Sequence, residues 1–152
     1  MGDGRAALRQ LKAEGPGPVF LLGESLGSGV AVQVAAAEPG AVAGLLLVTP
    51  FARMTEVASH HYPLVPMRLL LRDRWDSQGA VRGYPGPVAL LLAGRDEVVG
   101  AAQGRRLAAA VPGPVFVREV PWADHNGLPL EPGQSPWPEL LGFLGRPAGM
   151  GQ

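Results

Sequence analysis

At 152 residues the chain fits one domain, and a domain of this size buries roughly 70% of the surface that its unfolded form would expose. Hydrophobic residues make up 47% and charged residues 17%, so the composition gives no reason to expect disorder despite 22 Gly and 16 Pro. Thirteen basic and 13 acidic residues cancel to a formal net charge of +0, which excludes a global field that would gather nucleic acid or an anionic membrane.

Cysteine is absent, which rules out disulfides and Cys-ligated metals and fits either redox compartment. Residues 1–15 are polar and lack the apolar core of a secretory signal. No apolar run approaches the roughly 20 residues of a membrane-spanning helix. The chain reads as soluble, and a cytoplasmic setting is expected.

In chain order, residues 3–14 place Ala7, Leu8 and Leu11 at i, i+1 and i+4 among polar neighbours. With Asp3 as N-cap and Gly15-Pro16 as a stop, this predicts an amphipathic helix. Residues 18–22 are a short apolar run of the kind buried on both faces of a parallel sheet. Residues 26–38, rich in Ala, Val and Gln, predict a helix closed by Pro39-Gly40. The same grammar recurs with a strand over 43–48, a buried strand over 87–93, a helix over 101–111 and a strand over 115–120. A helix from about 136 to 144 precedes a Gly/Pro-rich tail over 145–152 that is expected to be flexible. Strands alternating with helices predict an α/β fold, a parallel sheet of about four strands with flanking helices.

Residues 51–84 break the pattern, with an apolar cluster from Tyr62 to Leu71 cut by Pro63 and Pro66. A connection this long predicts short helices forming a cap-like segment across the carboxyl edge of the sheet. The cluster around Leu64 to Leu71 could line an acyl pocket or simply pack a cap or core. Arg72, Asp73, Arg74 and Asp76 alternate in sign and predict weak surface ion pairs.

Gly23-Glu24-Ser25-Leu26-Gly27 satisfies G-x-S-x-G between a buried strand and a helix. A sharp turn there would bring strand and helix so close that only Gly23 and Gly27 fit, and would present Ser25 Oγ at a helix N-terminus. The Leu26 N–H would then be an oxyanion donor. The plain alternative is a Gly/Ser-rich turn. Asp96, in Gly94-Arg95-Asp96-Glu97, is the first acidic residue after the strand over 87–93, where ligands bind in open α/β sheets. It could orient a histidine or merely cap the next helix, and Glu97 competes for the role. His125 follows the strand over 115–120, as a base or as a loop histidine bonded to Asp124. His60 and His61 read as a solvated pair, and Trp122 as a wall of the site or a buried packing residue.

The order Ser25, Asp96, His125 matches the Ser…Asp/Glu…His order of one class of hydrolases and no other familiar triad order. Together with Ser25-Leu26-Gly27-Ser28-Gly29-Val30-Ala31, Thr49-Pro50-Phe51, Tyr62-Pro63, Arg72-Asp73-Arg74-Trp75-Asp76-Ser77, Arg95-Asp96-Glu97-Val98-Val99 and Asp124-His125-Asn126, it resembles the α/β-hydrolase superfamily, in particular its serine-aminopeptidase-like proteins. The resemblance runs from about residue 3 to 144 and implies an esterase, thioesterase, lipase or peptidase.

Such proteins carry further strands ahead of the nucleophile strand, and a loop among them supplies a second oxyanion donor. Here the nucleophile strand comes first, so the chain is expected to be the second, C-terminal half of that fold, N-terminally truncated. Val19, Phe20, Leu21 and Leu22 would then form an unpaired apolar edge, which predicts a homodimer joined along it. The function expected is hydrolysis of a small acyl substrate, a carboxylic ester or related compound, by Ser25, Asp96 and His125 without cofactor or metal. The alternative is a non-catalytic fragment or pseudoenzyme that binds a partner through the open edge.

Overall fold

The apolar runs over 44–48 and 88–93 are buried on both faces as parallel strands between helices, whereas those over 20–24, expected to be buried likewise, and 115–120 are largely exposed. The structure is a computed structural model that describes residues 2–62, 64, 75–131, 133 and 135–146. The order is α1 (Gly2–Glu14), β1 (Phe20–Glu24), α2 (Leu26–Ala37), β2 (Gly44–Val48), α3 (Met54–His61), α4 (Ser77–Val81), β3 (Val88–Ala93), α5 (Ala101–Ala108), β4 (Val115–Val120) and α6 (Trp137–Leu144). The four strands make one parallel sheet in the order β1-β2-β3-β4. Leu22 pairs with Leu46, Leu47 with Leu90, and Leu91 with Arg118.

Alternate residues of the two central strands feed two cores. Leu45, Leu47, Leu90 and Leu92 pack with Leu8, Val32 and Leu107 on one side, while Leu46, Val48, Ala89 and Leu91 pack with Leu140 and Leu144 on the other. The result is the expected α/β arrangement of helix, sheet and helix.

Element ends differ from the sequence reading for local reasons. The first strand runs over Phe20–Glu24 instead of 18–22, because Pro18 has no N–H for a ladder and pairing starts at the Val19 carbonyl, which accepts from Ala43 N at 2.7 Å. Helix α1 begins at Gly2, so Asp3 is no N-cap but an acid in the first turn, favoured there by the helix dipole. Helix α5 ends at Ala108, and its continuation to Val111 tightens into i to i−3 bonds ahead of Pro112.

The segment over 51–84 contributes α3 and α4. Asp76 caps α4, accepting from Gly79 N at 2.8 Å, and pairs with Arg53 at 3.6 Å. The cluster from Tyr62 to Leu71 lies outside the described residues except for Tyr62 and Leu64, both exposed. Arg72, Asp73 and Arg74 also lie outside them, as do residues 147–152 of the tail. Among the described residues no helix is long and apolar enough to cross a membrane.

The outer edge of β1 has no strand partner among the described residues. Phe20 is 44% and Leu22 60% exposed beside it. Apolar hollows flank the strand on both faces, one of about 250 Å3 against Leu141 and Leu144, the other of about 360 Å3 between Leu22, Leu11 and Val30.

The two elbow glycines are not equivalent. A Cβ at Gly23 would lie 2.5 Å from Gly27 O and 2.7 Å from Ser28 Cα, so strand and helix meet there backbone to backbone. A Cβ at Gly27 would meet nothing within 4 Å, contrary to the crowding expected of it, because its Cα faces the open hollow beside Leu22 and Val30. Gly23→Ala is therefore expected to lower unfolding free energy by about 1–3 kcal/mol through overpacking. Gly27→Ala is expected to raise it by up to about 1 kcal/mol by restricting the unfolded chain, and urea denaturation checks both. Leu90, fully buried in β3, is expected to cost about 2–5 kcal/mol when cut to Ala.

Candidate active site

Ser25 is the single residue between β1 and α2, and its backbone sits at φ 48°, ψ −116°. A non-glycine residue there is strained by on the order of 1–3 kcal/mol. Three bonds hold it: Ser25 N–H donates to Val48 O at 2.9 Å, and Ser25 O accepts from Ser28 N–H at 3.0 Å and from the buried Ser28 Oγ–H at 2.6 Å. Gly23 admits the helix end that follows. Leu26 opens α2, so its N–H belongs to the first turn, which has no intrahelical acceptor.

Asp96 follows β3 by three residues and is 9% exposed, whereas Glu97 is exposed. Its carboxylate meets the histidine, one of the two roles offered by the sequence, but does not cap the next helix. The N-cap of α5 is Gly100, without a side-chain cap bond, and the second oxygen holds the turn before it. Oδ1 accepts from the Val98 and Val99 N–H groups, both at 2.9 Å, and Oδ2 accepts from His125 Nδ1–H at 2.9 Å. Burial pushes this carboxyl up, but the bonds from His125, Val99 and Val98 and the charge of a protonated His125 outweigh it and hold Asp96 below the usual carboxylate range.

His125 lies in the loop after β4, its side chain 13% exposed. With Nδ1 donating to Asp96, the neutral ring leaves Nε2 as acceptor, and Ser25 Oγ–H stands 3.2 Å away to donate to it. Asp124 does not hold the ring; its Oδ1 accepts from Asn126 N–H at 3.0 Å. The acid and base loops are also tied by Arg95 N–H to Ala123 O at 2.9 Å. The three side chains singled out in the sequence thus stand in one hydrogen-bonded row above the carboxyl ends of β1, β3 and β4.

An open cavity of about 440 Å3 lies beside this row, lined by Arg95, Glu97, Val98, Asp124, His125 and Asn126. A second, of about 370 Å3, lies behind Asp96 against α3 and α5, with Glu56, His60 and Gln103 on its walls. Trp122 is 68% exposed, which removes the reading of a buried packing residue. Among the described residues no group of three or more His, Asp or Glu is placed to hold a metal ion.

Three supporting residues were not legible beforehand. Ser28 had a signal, a hydroxyl three residues after the elbow serine. Gln103 had none: from α5 its buried side chain accepts from Ala52 N–H and Arg53 N–H at 3.1 and 3.2 Å and donates to Glu56 at 3.3 Å. His60 and His61 are both exposed and meet edge to face, with ring centres 5.5 Å apart. His61 is more than a solvated neighbour, since its Nε2 lies 2.6 Å from Val98 O.

No protein-family model matches the chain. Two curated relatives, described as uncharacterised proteins of Mycobacterium tuberculosis strains H37Rv and CDC 1551, are each 35% identical over 153 residues, or 99% of this chain and 54% of theirs. The chain spans about half the length of the curated relatives it matches. Among solved structures, an acetyl xylan esterase from Paenibacillus sp. R4 superposes with a TM-score of 0.69 at 18% identity, over 84% of this chain and 47% of its own. The esterase domain of a Rhodothermus marinus protein gives 0.64 at 26% identity, over 81% and 57%. Acetyl xylan esterase 1 from a Thermoanaerobacterium species gives 0.63 at 17%, over 83% and 44%. The parallel sheet and its flanking helices are thus a fold of the α/β-hydrolase type, shared across most of this chain with these esterases.

Proposed function

We propose that the chain is a cytoplasmic serine hydrolase of carboxylic esters or related small acyl compounds, with Ser25 as nucleophile, His125 as base and Asp96 as acid. The observation that carries the reading is the row of bonds from Asp96 Oδ2 through His125 to Ser25 Oγ, at 2.9 and 3.2 Å. The esterases of the same fold support it at the level of hydrolase chemistry.

In this mechanism His125 Nε2 takes the Ser25 hydroxyl proton as Oγ bonds to the acyl carbon, and the carbonyl π pair moves onto oxygen. The Leu26 N–H stabilises that oxyanion from the first turn of α2. Collapse expels the alkoxide, which takes the proton from His125. Water, deprotonated by His125, then attacks the acyl-serine and releases the acid and Ser25. Asp96 holds the tautomer that leaves Nε2 free and stabilises the imidazolium that forms. A second oxyanion donor, expected of this fold, would add about 10²- to 10³-fold in rate. Residues 1–152 act in this scheme as one α/β unit, with 51–84 as its cap-like segment and 145–152 as its tail.

The exposed Phe20 and Leu22 favour a second reading, a non-catalytic module that binds through the open edge of β1. For that edge we propose association of two copies. Light scattering is expected to give twice the monomer mass, and a monodisperse monomer at high concentration would sink the dimer.

A fluorophosphonate probe is expected to label the wild-type chain and not Ser25→Ala, with labelling read by mass spectrometry. Folded wild-type protein that resists labelling would favour the binding module. A pH dependence of stability follows from Asp96. Its carboxyl is held below its unfolded value, so its stabilisation is fully present above about pH 4 and is lost as pH falls through the folded value. The stability gap between wild type and Asp96→Asn is therefore expected to narrow as pH falls below about 4 in urea titrations.

A further inference from the structure

The turn that holds Asp96 is itself held from outside. Oδ1 of Asp96 depends on the N–H groups of Val98 and Val99, and these peptide groups lie in an exposed turn with no helix or strand to fix them. Val98 has one carbonyl to offer, and it accepts from His61 Nε2–H at 2.6 Å, at the last residue of α3. A carbonyl can only accept, so the His61 ring must carry its proton on Nε2.

Helix α3 is in turn fixed at its other end. Gln103 accepts from Ala52 and Arg53 N–H and donates to Glu56, and Arg106 pairs with Glu56. Both Gln103 and Arg106 belong to α5, the helix that follows the Asp96 turn. The helix is thus pinned at both ends to the stretch that carries Asp96, which gives His61 a defined place against Val98.

On the reading of Ser25, Asp96 and His125 given above, we propose that His61 is a positioning residue, which sets the orientation of the Asp96 carboxylate through the Val98 peptide. The continuous run is His61 Nε2–H to Val98 O, Val98 N–H to Asp96 Oδ1, Asp96 Oδ2 to His125 Nδ1–H, and His125 Nε2 to Ser25 Oγ. Freed of His61, the turn gains room to rotate its N–H groups off Oδ1, and the carboxylate loses its fixed angle to the imidazole.

His61→Ala removes the bond, His61→Asn shortens the side chain beyond reach of Val98 O, and His61→Gln places an amide N–H near the original Nε2. The probes are the second-order rate of labelling by an alkyl fluorophosphonate and the low-field proton resonance of His125 Nδ1–H. The Ala and Asn variants are expected to label about 10- to 100-fold more slowly and to shift or broaden that resonance. His61→Gln is expected to restore both toward wild type. Wild-type rate and resonance in His61→Ala, or in His61→Asn should the Ala variant fail to fold, would overturn the proposal, as would a Gln variant no better than Ala. If the folded wild type does not label, the hydrolase reading fails. The resonance alone then decides, and an unmoved signal in His61→Ala overturns the positioning role.

Discussion

The site depends on one strained backbone. Ser25 at φ 48° would relax in an unsupported turn, at a gain of on the order of 1–3 kcal/mol. What opposes relaxation is packing and hydrogen bonding in the same few residues. Gly23 allows the helix backbone to press on the strand, Val48 O fixes the Ser25 amide, and Ser28 Oγ fixes its carbonyl. Each such bond contributes about 1 kcal/mol net, which is the size of the strain it offsets. The pattern recurs one strand over, where Thr49 follows β2 at φ 44° with its N–H on Leu91 O. Two adjacent strands thus end on left-handed hydroxyl residues at the edge where the site is built. The buried Thr49 hydroxyl has no hydrogen-bond partner among the described residues.

How much of this could be read from the sequence follows the range of the forces involved. The strands were legible because Leu45, Leu47, Leu90 and Leu92 sit in runs with no charge, and only burial on both faces accommodates such runs. The boundaries were less so, since they turn on single groups such as the missing N–H of Pro18. Ser25 was legible through its glycines. Yet the equality assumed for Gly23 and Gly27 failed, because crowding depends on what lies across the chain, and Gly27 faces an open hollow.

Asp96 and His125 were legible as the acid and the histidine nearest the ends of their strands. Their mutual bond was not, because it spans 29 residues and depends on how the two loops bend. Asp96 also meets a need that the choice between capping and orienting left out: one oxygen takes the histidine, and the other holds the turn at Val98 and Val99 ahead of the helix. Gln103 and His61 escaped altogether. Their partners are backbone groups 51 and 37 residues away, and a backbone amide or carbonyl leaves no mark in sequence.

Sheet order equals chain order, and this has a consequence for local stability. Among the described residues, strands β2 and β3 are each paired on both sides, while β1 and β4 are each paired on one. Asp96 and His125 hang from β3 and β4, and Ser25 hangs from β1. Asp96 therefore hangs from a strand held on both sides, while the serine and the histidine hang from opposite edge strands, each of which can fray by itself. Loosening of β1 alone would carry Ser25 away from an Asp96–His125 pair that stays assembled. Whatever covers the free side of β1 would then govern how often the three residues stand in line.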